Sequence, residues 1–593
     1  MAAVSMSRIR LYAPFLALIA VQAILVAVAP STAPPGGDQV AFDGGLAAQG
    51  QAGGPSGASA QGPGFEVEEA ADHGDGAGAG VPGGPTLDGG QSESTDGGTG
   101  QAAAGGGAED AGDDGDGVAG QAQAPSGDTS HCTDDGLQHD LDVTAPECRP
   151  VFEGDNGGAT HRGVTADEIR VLWFTEEQNE LVAEFLNQAG VGATSAQQTA
   201  FLEAVEDFLN EYYETYGREV KLLRYEAADC PQTPPDIPSC RAEVRQAIAE
   251  VDPFVVIWAA GVYPGLYDEF SRNEIVSLGG WHVAEQFFTQ RRPYRWDLNM
   301  DGTKAANYIA EYYCKKLAGD NPTHAGQIVH PSIGTRTSVE RKLGILTQET
   351  EFNVAAANQV RQRVADCAGE QVPLVTYESD IERAQEQSNA NTAAMIDAGV
   401  TTVVCMCDPI APIFQTNTYT TQGYFPEHLV AGMGFMDNDN LARLYDQQQW
   451  DNAFGISHLP EPVAEAEADA QKIWEATGRD GDRPCPCGLE AAYPMIVGSM
   501  IHYAGPNLTP QNLERGIFEA PATGGWERSG GDPTSALIKF EPGDYTAISD
   551  VREVYWDRTR PSSGDGQRGS YAMLYDGQRF LPGELPERLD VPN

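Results

Sequence analysis

The stretch GVTADEIRVLWFTEEQ, Gly163 to Gln178, decides the fold of this chain. A polar turn runs to Asp167-Glu168, and Ile169, Val171, Leu172 and Phe174 follow as a short apolar strand. Downstream, Ser195 to Tyr216 sets Phe201, Leu202, Val205, Phe208, Leu209 and Tyr212 at helical spacing, and Gly217 stands where a helix end favours a positive φ. REVKLLRY reads as the next strand, a helix over 241–250 follows, and PFVVIWA is a continuous apolar strand of the kind buried on both faces. A helix over 264–272 leads to the strand EIVSLGG.

The order then repeats. Helices over 301–317, 353–367, 384–398 and 410–422 precede, in turn, the strands RKLGILT, VPLVTYE, VTTVVCMC and EHLVAGMGF. Alternating helix and strand units imply an α/β fold with parallel sheets covered by helices on both faces. The strands fall into two groups separated by RPYRWDLN, which favours two doubly wound halves over the rival arrangement, a closed eight-stranded barrel.

Residues 31–130 read differently. They are Gly, Ala, Gln, Ser, Asp and Pro, as in GGPSGASAQGPG, and no Lys or Arg occurs between Arg10 and Arg149. Such a segment buries too little apolar surface to offset its ordering entropy, so it is expected to be a disordered acidic linker. The formal net charge of the 593-residue chain is -51. That charge argues against nucleic acid as a partner, whose phosphates need clustered Lys and Arg, and disfavours anionic membrane surfaces.

Residues 1–30 carry Arg8 and Arg10 ahead of the apolar run Leu11–Ala29, broken only by Pro14 and Gln22. This reads as a secretory signal or an uncleaved N-terminal anchor. Either implies an extracytoplasmic body, secreted or held at the cell surface, and makes the linker a solvated spacer. The ten cysteines agree, since an even number in an exported chain reads as disulfides. In the lead-in, 131–162, Cys132 and Cys148 would close a local loop; Cys230 with Cys240 would close another, and Cys314 with Cys367 would make a longer link. Cys405-Met406-Cys407 and Cys485-Pro486-Cys487 form two C-x-C motifs. Four thiolates suit zinc, while an oxidising compartment favours disulfides, so no metal is expected. No G-x-S-x-G, H-E-x-x-H or Gly-rich phosphate loop occurs, so no catalytic residue or cofactor is assigned.

From Gly163 to about Asp557 the chain resembles a type I periplasmic binding protein, of the branched-chain amino-acid-binding branch that serves ABC importers. GVTADEIRV is similar to that family's opening strand, and RNEIVSLGG through YRWDLNMDGTKAANYIAEYY to its path into the second lobe. GLEAAYPMIVGSMIHYAG with NLERGIFE resembles its late helix pair, and ALIKFEPGDYTAISDVREVYWD its closing β-hairpin. The resemblance implies two Rossmann-like lobes with parallel sheets joined by a three-segment hinge, in a body over 163–593. Lobe 1 is expected over about 163–297 plus 440–530, and lobe 2 over about 298–432 plus the C-terminal segment.

The implied function is an extracytoplasmic solute-binding protein that captures a small molecule between its lobes and hands it to a membrane permease of an ABC transporter. The alternatives are a ligand-sensing receptor domain on the same fold and an exported enzyme. Ligands of open α/β sheets sit at the carboxyl ends of strands. The loops there nominate Thr175, Glu176, Gly261, Val262, Tyr263, Trp281 and His282 from lobe 1, and Phe352, Asp408 and Phe435 from lobe 2. The family pairs a ligand ammonium with an acid where this chain has Gly434, and holds the carboxylate with small hydroxyl residues absent near Gly261. Leucine, isoleucine and valine are therefore expected to bind weakly or not at all, and an apolar or ring-bearing ligand is favoured. Aligned on the family, the two C-x-C motifs face the hinge side of the cleft and are expected to cross-link to each other, the alternative being a local link within each.

Overall fold

In the computed structural model, the structure describes residues 127–141, 144–231, 233–259, 263–280 and 283–592. The expected signal or anchor, nearly all of the acidic linker, and the candidate ligand residues Gly261, Val262, Trp281 and His282 lie outside the described residues. Among the described residues no helix is long and apolar enough to cross a membrane.

The quoted stretch forms β1 (Glu168–Glu177). Ile169, Val171, Leu172, Trp173 and Phe174 are all buried, as a strand covered on both faces requires. Gly163 opens it for a steric reason: at φ 69° a Cβ there would stand 2.1 Å from the Phe254 amide nitrogen. The first lobe continues through α1 (Glu180–Gln188), α2 (Ser195–Tyr212), β2 (Glu219–Pro231), α3 (Ile237–Val251), β3 (Val255–Ile257), α4 (Tyr267–Arg272), β4 (Val276–Leu278), α5 (Glu285–Thr289) and β5 (Arg295–Trp296). Thr194 and Gln197 cap α2 reciprocally, and the helix ends at Tyr212, ahead of Gly217, which takes its positive φ in the following turn. The strands form one sheet in the order β2-β1-β3-β4-β5, parallel throughout.

The second lobe holds α6 (Gly302–Lys316), β6 (Ile328–His330), β7 (Gly334–Thr335), β8 (Leu343–Gln348), α7 (Glu351–Ala368), β9 (Leu374–Tyr377), α8 (Ala384–Asp397), β10 (Thr402–Met406), α9 (Ala411–Thr421), β11 (Glu427–Ala431), α10 (Asp439–Ala442), α11 (Gln447–Trp450) and β12 (Ala453–Ser457). The chain then returns to the first lobe as α12 (Asp469–Ala476), α13 (Gly488–Ala504) and α14 (Pro510–Glu519). It ends in the second lobe as β13 (Val551–Pro561), β14 (Arg568–Met573) and β15 (Arg579–Phe580). The second sheet runs β14-β13-β12-β11-β10-β8-β9, with β15 beside β13. It is parallel from β9 to β12 and antiparallel beyond, because β13 and β14 form a hairpin added to its edge.

Two lobes joined by three passages are thus present, with three differences from the sequence reading. The stretch 440–457, expected in lobe 1, stays in lobe 2, because β12 bonds in parallel to β11 from His428↔Ala453 to Ala431↔Ile456. The closing hairpin is β13 with β14, so the residues after Asp557 complete the second sheet. The sequence reading also passed over β5 and β12 as strands.

The disulfides Cys132–Cys148, Cys230–Cys240 and Cys314–Cys367 are formed. The expected cross-link between the C-x-C motifs is not: Cys405 joins Cys407 and Cys485 joins Cys487. The two motifs sit in different cores. Cys407 belongs to the core of Leu346 and Val430 in the second lobe, and Cys485 and Cys487 to the core of Phe201 and Trp173 in the first. In each motif the two Cα atoms are 5.1 Å apart, within the range a disulfide spans.

The lead-in before β1 is a strap on the first lobe. His139 packs edge-on to Phe208 and Tyr213, the Glu147 amide donates to the Tyr503 hydroxyl, and Thr160 donates to the Leu508 carbonyl. Arg162 pairs with Asp252 just ahead of β3. Arg218, just ahead of β2, donates to the carbonyls of Asn156 and Gly158. The strap therefore covers the amino ends of the first sheet, opposite the ends where a ligand would bind.

Candidate functional site

The carboxyl ends of the two sheets meet at a cavity of about 240 Å³. The first lobe contributes Ile237 and Arg241 from the first turns of α3, with Tyr263 and Leu266 from the loop after β3. The second contributes Glu349 to Phe352, the loop after β8 and the start of α7. Thr350 sets that loop: its side chain accepts from the Asn353 amide and caps α7. Phe352 consequently points across the gap. Its ring lies 4.6 Å from that of Phe287 on α5, edge to face, and the Arg291 guanidinium stands 5.7 Å above it.

The lobes also touch elsewhere. Thr233 donates to the Ser379 carbonyl at 3.1 Å and accepts from the Ile381 amide at 3.0 Å, and Phe185 of α1 meets Phe414 of α9. The arrangement is that of lobes closed on each other.

Of the residues nominated by sequence, Tyr263 and Phe352 come together in the cavity. Burial foremost, and then the charge of Glu378, pushes the Tyr263 phenol up. Thr175 and Glu176 are half-buried at the end of β1, where the Thr175 hydroxyl donates to the Tyr225 carbonyl. Asp408 has its carboxylate engaged within its own lobe: it accepts from the Ile410 and Ala411 amides, from the Tyr377 hydroxyl at 2.6 Å and from Gln348 at 3.2 Å. Phe435 holds a left-handed backbone, φ 54°, beside Gly434. Gly434 itself has no room for a side chain, because a Cβ would meet the Cys407 carbonyl oxygen at 2.0 Å. The absence of an acid there is thus fixed by packing. Sequence reasoning missed Ile237 and Arg241; α3 begins at Ile237, four residues ahead of the expected start, and this carries them to the rim.

The three passages between the lobes share a buried polar chain. The Asp297 amide donates to the Tyr545 carbonyl and the Ala547 amide to the Asp297 carbonyl, so the first and third passages pair as strands. Tyr493 donates to the Asp297 carboxylate at 2.8 Å, and Asn299 donates to Tyr493. Burial foremost, opposed by the neighbouring Arg295, pushes Asp297 up to about 6. Burial, and then Arg579, brings His458 on the second passage down to about 4.

No protein-family model and no curated protein sequence matches the chain. Among solved structures, an ABC transporter substrate-binding protein from Aeropyrum pernix is similar at a TM-score of 0.48 and 13% identity, over 70% of this chain and 96% of that one. A fatty acid ABC transporter substrate-binding protein from Thermomonospora curvata gives 0.47 and 13%, over 71% and 94%. A leucine-, isoleucine-, valine-, threonine- and alanine-binding protein from Brucella ovis gives 0.46 and 12%, over 72% and 99%.

Proposed function

We propose that this protein is an extracytoplasmic solute-binding protein that captures a small molecule between its lobes for an ABC import system, delivering it to a membrane permease and performing no chemistry itself. The observation that carries the reading is the cavity between the carboxyl ends of two sheets, in a body whose lobes are joined by three passages. Such a body closes about its passages, excludes water from the ligand and reopens to release it. The paired disulfides and the apolar N-terminal run support export, with the body secreted or held at the cell surface.

The test is native mass spectrometry of the purified full chain, with small-angle scattering before and after the copurifying molecule is removed. A bound small molecule at unit stoichiometry and a larger radius of gyration after its removal are expected. A ligand-free protein whose radius never changes under any candidate solute would refute capture by closure.

A further inference from the structure

We propose that the cavity takes an organic cation: an ammonium group on an apolar, ring-sized body. The inference rests on the solute-capture reading and adds the ligand's chemical class. Two carboxylates of the second lobe, Glu349 and Glu351, line the cavity. Both are exposed, and neither forms an ion pair with the described residues. Both lie within three residues ahead of Phe352 in sequence, and Tyr263 supplies a second aromatic ring to the same cavity. Carboxylates beside aromatic faces attract a cation twice, by charge and by the ring quadrupole.

The cation on the opposite wall is committed elsewhere. Arg241 bonds to the buried carboxylate of Glu269 at 2.8 Å. Arg245 and Arg272 approach the same oxygen from side chains 57% and 60% exposed, and neither lines the cavity. A ligand carboxylate would have to compete with Glu269 for Arg241 while lying against Glu349 and Glu351. The remaining wall, Ile237, Gly265, Leu266 and the two rings, is apolar apart from Thr350, whose hydroxyl caps α7. Acids are common in a chain of this charge, so the discriminating feature is their combination with the rings of Tyr263 and Phe352 in one cavity.

Calorimetry on the full chain, freed of any copurifying molecule, compares benzylamine, benzyltrimethylammonium, benzyl alcohol and benzoate at low salt. The two cations are expected to bind at least about tenfold tighter than the alcohol, with benzoate weakest. The exposed double change Glu349→Gln with Glu351→Gln should cost the cations about tenfold and leave the alcohol unmoved, at an unchanged melting temperature. Benzoate or the alcohol binding as tightly as the cations, or cation affinity indifferent to the double change, would overturn the assignment. A neutral or anionic molecule found in the cleft by mass spectrometry would overturn it too, while leaving solute capture intact. Binding of no probe, with nothing copurifying, would remove both.

Discussion

His458 Nε2 stands 3.3 Å from Asn299 Oδ1, so a polar contact between side chains ties the second passage between the lobes to the first. An amide oxygen only accepts, so the ring nitrogen donates, and the ring stays neutral in keeping with its lowered pKa. Asn299 in turn donates to Tyr493, and Tyr493 to Asp297, which extends the chain from one side of the hinge to the other. The closure that the proposed function requires would have to bend around this chain.

Asn299→Leu should therefore destabilise the protein by about 1–3 kcal/mol, because it removes the acceptor of a buried imidazole N–H and one of the two hydrogen bonds of a buried phenol. Urea denaturation measures it. A cost near zero would mean that the passages are held by their backbone pairing alone.

Acidification gives a second prediction. His428 and His458 are held down to about 4, chiefly by burial, so the native state binds fewer protons than the unfolded chain between about 4 and 6.5. Their stabilisation is complete above the unfolded value and is lost as pH falls toward 4, by up to about 3 kcal/mol for each ring. Asp297 works the other way: raised to about 6, it binds a proton first in the native state and adds stability as pH falls from 6 toward 4. The melting temperature is expected to drop between pH 6.5 and 4, and Asp297→Asn should make that drop steeper. A melting temperature flat over this range in both proteins would contradict the burial of these rings.

Gly434→Asp would place a carboxylate where the sequence resemblance implies the partner of a ligand ammonium, yet its Cβ would collide with the Cys407 carbonyl. A loss of roughly 2–4 kcal/mol is expected, with no gain in affinity for leucine, isoleucine or valine. Calorimetry showing micromolar binding of any of the three, by the variant or by the unmodified chain, would contradict it.

The five disulfides should separate by consequence. Cys314–Cys367 spans 53 residues and closes a loop worth about 4 kcal/mol of chain entropy, so Cys314→Ser with Cys367→Ser should cost that much. Each C-x-C bridge closes a loop of two residues, so its removal should cost far less. Non-reducing peptide maps should show the two C-x-C peptides migrating separately, each two mass units lighter than its reduced form.

Much of this architecture was legible because the apolar strands are unambiguous. PFVVIWA and VTTVVCMC cannot be amphipathic helices, and Ser195 to Tyr212 cannot be a strand. β5 was missed because its paired part is only Arg295-Trp296, too short for periodicity. β12 was missed because AFGIS carries a glycine whose hydrogen stands against the Val430 backbone, a long-range contact without a local signature. At the site, Tyr263 and Phe352 were found by their place after strands. Arg241 was not, since a helix start four residues earlier is below what composition resolves. The C-x-C cross-link failed for a topological reason: a place on the hinge side of the cleft, implied by the resemblance, did not put the two motifs in one core.

The strap on the first lobe carries a mechanical consequence. From Gly127 on, the Cys132–Cys148 loop, His139, Glu147, Thr160 and Arg162 fasten the strap to α13, α2 and the amino ends of the first sheet, so a pull on it spreads over all three. The described strap residues bond to the first lobe and not to the second. If the protein is held through its N-terminus, the load falls on the first lobe. Opening of the second lobe, as the proposed function requires, would then proceed without the strap as a brake.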